Sequence, residues 1–418
     1  MSPGQTARRK RSEPSTRPAR WRARTWLRRL AALAVVLTAL ACRGPTGGLL
    51  EPVSGGGGAL SDDLDRASLE VAAKRSLRFY STLRRGRRLA FGEDEIAAQA
   101  LEESLAAFLR LMEEGADLSR AVAHEFRVYR VTVPVRFTGY YEPVLEGRLE
   151  RQGPFRHPIY RPPDDLVSIQ LADFLPGRWQ KTLFGRVSDG KVVPYFARAE
   201  IDGEGRLSNK GYEIAWVADP VELAFLHVQG SGRIVLGDGS HLRVGYAASN
   251  GRPYRSIARL LVERGLLPLE DFSLDHVRRY LRSHAEARDA VLFQNERYIF
   301  FRPVPDGPTG STGATLTPNR SIALDLDLYP AGALAYIRTR RAVFDEGGRR
   351  TGWRPVGRFV LVQDSGADIS GPQHADLFWG GGREAELAAG ELAQPGELYF
   401  LLSKDAGGRT ASTGSPPL

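Results

Sequence analysis

The chain predicts a mainly β protein with flanking helices, on three observations. From Val131 onward, short apolar runs rich in β-branched and aromatic residues recur, punctuated by Gly and Asp. Helical spacing is confined to the front of the chain and to one later insertion. At 418 residues the chain suits two domains better than one, and 42% hydrophobic content can supply a core for each.

Each element follows from its own residues. Asp62 to Arg85 reads as an amphipathic helix, with Leu69, Ala73, Leu77 and Tyr80 at helical spacing. A second helix is expected over Glu93 to Glu114, striped by Ile96, Leu101, Leu105, Phe108 and Met112 and stopped by Gly115. Strands are then expected at Val131–Phe137, Lys191–Ile201, Glu222–Gly230, Gly232–Ala248, Arg297–Val304, Arg320–Leu328, Ala333–Thr339, Gly357–Asp364 and Gly396–Ser403. Gly237-Asp238-Gly239 falls between two β-rich runs and reads as a hairpin turn. Helices interrupt at Tyr254–Arg264 and Leu274–Ala287, and the Gly/Ser/Pro-rich tail 405–418 is expected to fray.

The formal charge of +9 has a local source. Of 58 Lys and Arg and 49 Asp and Glu, residues 1–41 hold ten of the first and only Glu13 of the second, which leaves 48 of each. The remainder is neutral, so composition offers no nucleic-acid partner. The Arg-rich start runs into the apolar stretch Leu30–Ala41, too short to span a bilayer but suited to an export signal. That stretch ends at Cys42, the only cysteine. A lone Cys after a small residue resembles a lipoprotein cleavage site, although Ala39 stands where such sites commonly carry Leu. The other reading is an ordinary secretory signal with Cys42 incidental. Residues 42–61, rich in Gly and Pro, read as a tether. With one cysteine no intrachain disulfide can form.

The seven histidines lack metal-ligand spacing, so neither metal nor cofactor is expected. No G-x-S-x-G elbow, Walker loop or dinucleotide fingerprint is present. What stands out is carboxylates at the ends of apolar strands. Asp364 ends FVLVQD, Asp325 closes RSIALD, and Asp376 precedes Phe378-Trp379 and three glycines. Poor solvation and a nearby second carboxylate both raise a carboxyl pKa, as general-acid work near neutral pH requires. Asp is also a common turn former after a strand. Phe137-Thr138-Gly139-Tyr140-Tyr141 and His227-Val228-Gln229-Gly230-Ser231-Gly232 offer rings, hydroxyls and amides of the kind a sugar site uses.

Longer motifs, in order, make a family resemblance. FTGYYEP (Phe137–Pro143), PIYRPP (Pro158–Pro163), RAEIDG (Arg198–Gly203), HVQGSG (His227–Gly232), GYAASNGRPYRSI (Gly245–Ile257), YIFFR (Tyr298–Arg302), LTPNRSIALD (Leu316–Asp325) and QDSGADISGPQHADLFWG (Gln363–Gly380) resemble the membrane-bound lytic murein transglycosylase A family. The resemblance implies a double-psi β-barrel domain (62–142 and 302–404) interrupted by a second β-rich domain (143–301), with a glycan groove between them. It implies a murein-degrading exotransglycosylase that leaves 1,6-anhydromuramyl ends, with Asp376 as the single acid/base and Asp364 assisting. Asp325 is then a supporting residue, and Thr138, Gly139, Tyr141, Gln229 and Ser231 are glycan contacts. The implied partners are peptidoglycan strands and, through a lipid on Cys42, the periplasmic face of the outer membrane; cell-wall synthesis or division proteins stay open, as does endo or exo action in the residues themselves. Where the family carries G-A-I-K-G, this chain has Ala367-Asp368-Ile369-Ser370-Gly371, losing a Lys and gaining a carboxylate. A non-catalytic glycan-binding lipoprotein and a hydrolytic muramidase remain the alternatives.

Overall fold

The computed structural model describes residues 48–53, 58–174, 182–268 and 274–406. The export signal, Cys42 and residues 407–418 lie outside the described residues. Part of the expected tether is structured: β1 (Leu50–Pro52) pairs antiparallel with Tyr129–Val131, and Leu60 is buried.

Helix α1 (Arg66–Thr82) starts at Asp65, whose carboxylate accepts from the Ser68 amide at 2.7 Å and satisfies a donor the helix cannot. Its stripe of Leu69, Ala72, Ala73 and Tyr80 is buried. A hairpin, β2 (Arg88–Phe91) and β3 (Asp94–Ala97), takes the start of the expected second helix, which runs as α2 (Ala98–Glu113). Helix α3 (Leu118–Glu125) follows.

The expected strand Val131–Phe137 is instead a corner. Pro134 has no N–H for a ladder bond, and the chain breaks there between β4 (Phe126–Val131) and β5 (Val135–Glu142). After β5 come β6 (Val144–Arg148), β7 (His157–Tyr160), β8 (Val167–Gln170), β9 (Thr182–Ser188), β10 (Lys191–Val193) and β11 (Glu213–Val217). Lys191–Ile201 is therefore a strand only to Val193; Ala199–Gly203 is helical. Glu222–Gly230 is likewise no strand but most of helix α4 (Pro220–Gln229). Asp219 caps the Val221 amide at 2.8 Å, Pro220 occupies the first turn, and Gly230 closes the helix at φ 74°. An apolar run buried on most sides shows no clean period, which is why its strand-like look misleads.

Next come β12 (Ser231–Val235), β13 (His241–Ser249), α5 (Ile257–Glu263), α6 (Leu274–Ser283), α7 (Ala285–Leu292) and β14 (Ile299–Pro303). The hairpin at Gly237–Gly239 joins β12 to β13 in antiparallel register. The last elements are β15 (Ser321–Ala323), β16 (Leu334–Phe344), β17 (Arg350–Asp364), β18 (His374–Gly381), α8 (Arg383–Glu391) and β19 (Ala393–Ser403). Arg320–Leu328 thus contributes three residues of strand before a turn.

Six strands close on themselves in the order β5, β19, β16, β17, β15, β18 and back to β5. Two contacts in this ring are parallel, β5 with β18 and β15 with β17. Closure leaves no edge among the six, and β4 and β1 extend the sheet outward from β19. Phe359, Val360, Leu361, Leu377 and Phe400 of the barrel strands share one core with the apolar faces of α1 and α2. The segment between β5 and β15 builds a separate six-stranded sheet, β14-β13-β12-β6-β11-β7, with its own core around Leu145, Leu226, Ile234 and Phe301. One residue, Pro143, links β5 to β6.

Candidate active site

Strand register brings the two carboxylates together. On β18, Asp376 pairs with Thr138 of β5 on one side and Ala323 of β15 on the other. Ala323 also pairs with Asp364, the last residue of β17. The two aspartates therefore flank a small residue, about 10 Å apart at the backbone by strand spacing. Alternation along β18 puts Ala375 and Leu377 into the core and leaves Asp376 on the other face, partly accessible.

The two environments differ. Asp364 is committed: its Oδ1 accepts from the backbone amides of Ser311 and Ser365, each at 2.9 Å, and its Oδ2 from the Tyr140 hydroxyl at 2.9 Å. Burial raises its carboxyl above the usual value against these donors. Asp376 accepts from Thr138 Oγ1 at 2.8 Å. Burial pushes its carboxyl up to about 7, the negative charges of Asp364 and Asp368 add to the rise, and the Thr138 bond opposes it. Thr138 Oγ1 also lies 2.9 Å from His374 Nε2. Tyr140 packs on Phe378 with ring centroids 5.2 Å apart, forming a wall beside the pair. Beyond that wall opens a cleft of ≈ 340 Å³ lined by Phe378, Gly380, Glu142, Arg75, Arg233 and Arg243 among others.

The other expected site residues differ in character. The Gly139 Cβ position would lie 2.6 Å from Trp379 Nε1 and 2.7 Å from Ala389 Cα, so packing against α8 demands glycine. The Tyr141 ring is buried; its hydroxyl accepts from Arg278 at 2.6 Å, and its backbone amide donates to Gln229 Oε1 at 3.0 Å. Burial lifts the Tyr141 phenol well above its ordinary range. Gln229 ends α4, and Ser231, buried at the start of β12, faces Gly245 in the ladder. Asp325 caps a turn, accepting from the amides of Asp327 at 3.0 Å and Gly371 at 2.8 Å.

Spacing alone did not offer Arg278. From α6 it reaches Tyr141, Glu222 at 2.9 Å and Glu386 of α8 at 2.6 Å, tying the segment after β5 to the barrel. Its place in an amphipathic helix carried no sign of this, because the partners lie far along the chain. Ser311 was also unmarked. Among the described residues no group of three or more His, Cys, Asp or Glu could hold a metal ion, and no helix is long and apolar enough to cross a membrane.

Comparison with known proteins places this arrangement. A family model described as the MltA specific insert domain matches residues 136–302, and one described as the 3D domain matches 320–402. Membrane-bound lytic murein transglycosylase A of Escherichia coli K12 is 34% identical over 281 residues, covering 66% of this chain and 68% of that protein. The Vibrio cholerae serotype O1 protein of that name is 30% identical over 270 residues, covering 64% of this chain and 65% of that protein. The crystal structure of a membrane-bound lytic murein transglycosylase from Agrobacterium tumefaciens superposes with a TM-score of 0.71 at 31% identity, covering 86% of this chain and 99% of that one. E. coli MltA with bound chitohexaose gives 0.65 at 26% identity, covering 86% and 96%. Two matched domains, a relative above 30% identity and a shared fold agree: the chain belongs to the membrane-bound lytic murein transglycosylase A family.

Proposed function

We propose that this protein is a lytic transglycosylase acting on peptidoglycan, with Asp376 as its single acid/base. The observation that carries the reading is Asp376 itself: a partly accessible carboxyl with, among the described residues, one side-chain donor and no cation bonded to it, held near pKa 7 by burial. Such a group still holds its proton near neutral pH and can give it up.

Asp376 protonates the glycosidic oxygen between N-acetylmuramic acid and N-acetylglucosamine as that bond breaks. The resulting carboxylate takes the proton of the sugar's own C6 hydroxyl, which attacks C1 and closes a 1,6-anhydro ring. The attacking hydroxyl is already in place, so its effective concentration far exceeds that of water. Hydrolytic glycosidases use a second carboxylate as nucleophile or base. Asp364 suits neither role, because both its oxygens are committed to donors. It biases Asp376 by its charge. The glycan strand lies in a groove between a double-psi barrel domain (62–142 and 302–404) and the inserted domain (143–301). A relative solved with bound chitohexaose supports an extended sugar ligand there. Cys42, lipidated, anchors the enzyme to the periplasmic face of the outer membrane.

Mass spectrometry of products from purified sacculi tests the chemistry. Muramyl ends one water lighter than hydrolytic ends are expected. Reducing ends in their place would refute the anhydro reaction.

A further inference from the structure

Thr138 carries one hydroxyl hydrogen, yet its Oγ1 lies 2.8 Å from Asp376 Oδ1 and 2.9 Å from His374 Nε2. It can donate to only one of them. The far side of the imidazole narrows the choice. His374 Nδ1 lies 3.2 Å from the backbone carbonyl oxygen of Asp368, which can only accept, so Nδ1 carries a hydrogen. Two arrangements then satisfy all three contacts. In one, His374 is neutral, its Nε2 lone pair accepts from Thr138, and Asp376 is protonated and donates to Thr138. In the other, Asp376 is ionised, Thr138 donates to it, and His374 is an imidazolium donating from Nε2. Either way the Asp376–His374 pair holds one shared proton.

We infer that Thr138 and His374 form a hydrogen-bond switch: the Thr138 hydroxyl donates to His374 while Asp376 is protonated, and swings to Asp376 when the proton leaves. This rests on the proposed role of Asp376. No covalent bond of Thr138 breaks. The Asp376 O–H bond breaks, the proton passes to the glycosidic oxygen, and the hydroxyl rotates from Nε2 to the new carboxylate. It swings back when Asp376 regains a proton from the C6 hydroxyl. Burial holds His374 below its ordinary pKa, which favours the neutral imidazole of the first arrangement. The charged and titratable groups facing the switch are Asp364 at the end of β17, Tyr140 and Arg136 on β5, and Asp368 before β18. Arg136 and Asp368 act on His374 with opposite sign, while the Tyr140 hydroxyl is already given to Asp364. Thr138 is thus a positioning residue as well as a candidate glycan contact. The carbonyl that fixes the His374 tautomer belongs to Asp368, inside the stretch where this chain departs from the family pattern.

The test is the alkaline limb of kcat/KM on solubilised glycan strands. Activity falls there as Asp376 loses its proton. Thr138→Val removes the donor that stabilises the carboxylate, so the limb moves up by about one to two pH units, the weight of one hydrogen bond to a charge. His374→Ala leaves the hydroxyl no partner but Asp376, so the limb moves down. Thr138→Ser restores the wild-type limb, and the double variant T138V/H374A follows Thr138→Val. Limbs that shift the same way, or stay put, overturn the switch; a merely structural role lowers rates without opposite shifts. The infrared carbonyl band of protonated Asp376, identified by its loss in Asp376→Asn, titrates the same group without turnover. Opposite band shifts in a protein that leaves glycan uncut would keep the switch and overturn the reaction instead.

Discussion

The barrel meets two sets of carboxylates and treats them in opposite ways. Beside α1, Arg320 and Arg358 are almost wholly buried, and each is answered. Arg320 Nη1 donates to both oxygens of Asp62, at 3.0 and 2.7 Å, and to the Phe359 carbonyl. Arg358 grips Asp63 through two bonds of 2.9 Å. Farther along β17 and on β18, Asp364 and Asp376 accept from hydroxyls and amides, and among the described residues no guanidinium bonds to either. Even with Arg320 alongside, burial lifts Asp62 above its usual value; Asp376, with no such partner, reaches about 7. A paired charge fastens α1 to the barrel. An unpaired one is kept ready to change its protonation, and folding bears the cost.

Three substitutions give four predictions that break or sharpen this contrast, in falling order of effect. Asp376→Asn is expected to cut sacculus lysis by about 10³-fold or more with circular dichroism unchanged; lysis within tenfold of wild type would remove Asp376 from the chemistry. Arg320→Met strands Asp62 in the interior and is expected to cost about 3–5 kcal/mol in urea unfolding. A loss below about 1 kcal/mol would mean that the paired set is ornamental.

The third concerns stability against pH. Asp376 has a folded pKa above its unfolded one, so it weakens the fold progressively as pH rises from about 4 toward 7. Asp376→Asn should therefore be more stable than wild type by up to about 4 kcal/mol at pH 8, with the gain vanishing near pH 4. A gain independent of pH would point to packing instead. The smallest effect is for Asp364→Asn. Removing that neighbouring charge lowers the Asp376 pKa, and the alkaline limb of lysis should fall by up to about one pH unit.

How much was legible in the sequence depended on range. Local signals served well: α1 falls inside the expected span Asp62–Arg85, and Gly237–Gly239 turns the β12–β13 hairpin as expected. Strand β18 escaped pattern reading, because buried Leu377, Phe378 and Trp379 surround no simple alternation. The residues of helix α4 read as a strand in sequence although Asp219-Pro220 stands at the helix start. The pairing of Thr138 with Asp376 spans 238 residues, a contact no spacing rule reaches. Motif resemblance selected both residues, but only the folded register shows that the Thr138 hydroxyl is committed to Asp376 and His374.

Strand β5 has a double duty with a practical outcome. It completes the ring between β18 and β19, and it also bears Thr138 and Tyr140. Prying those side chains apart means opening the hoop itself, since no loose margin can peel away first. Thermal inactivation should therefore coincide with the global melting curve, which makes residual lysis after heating a faithful gauge of how many molecules are still whole.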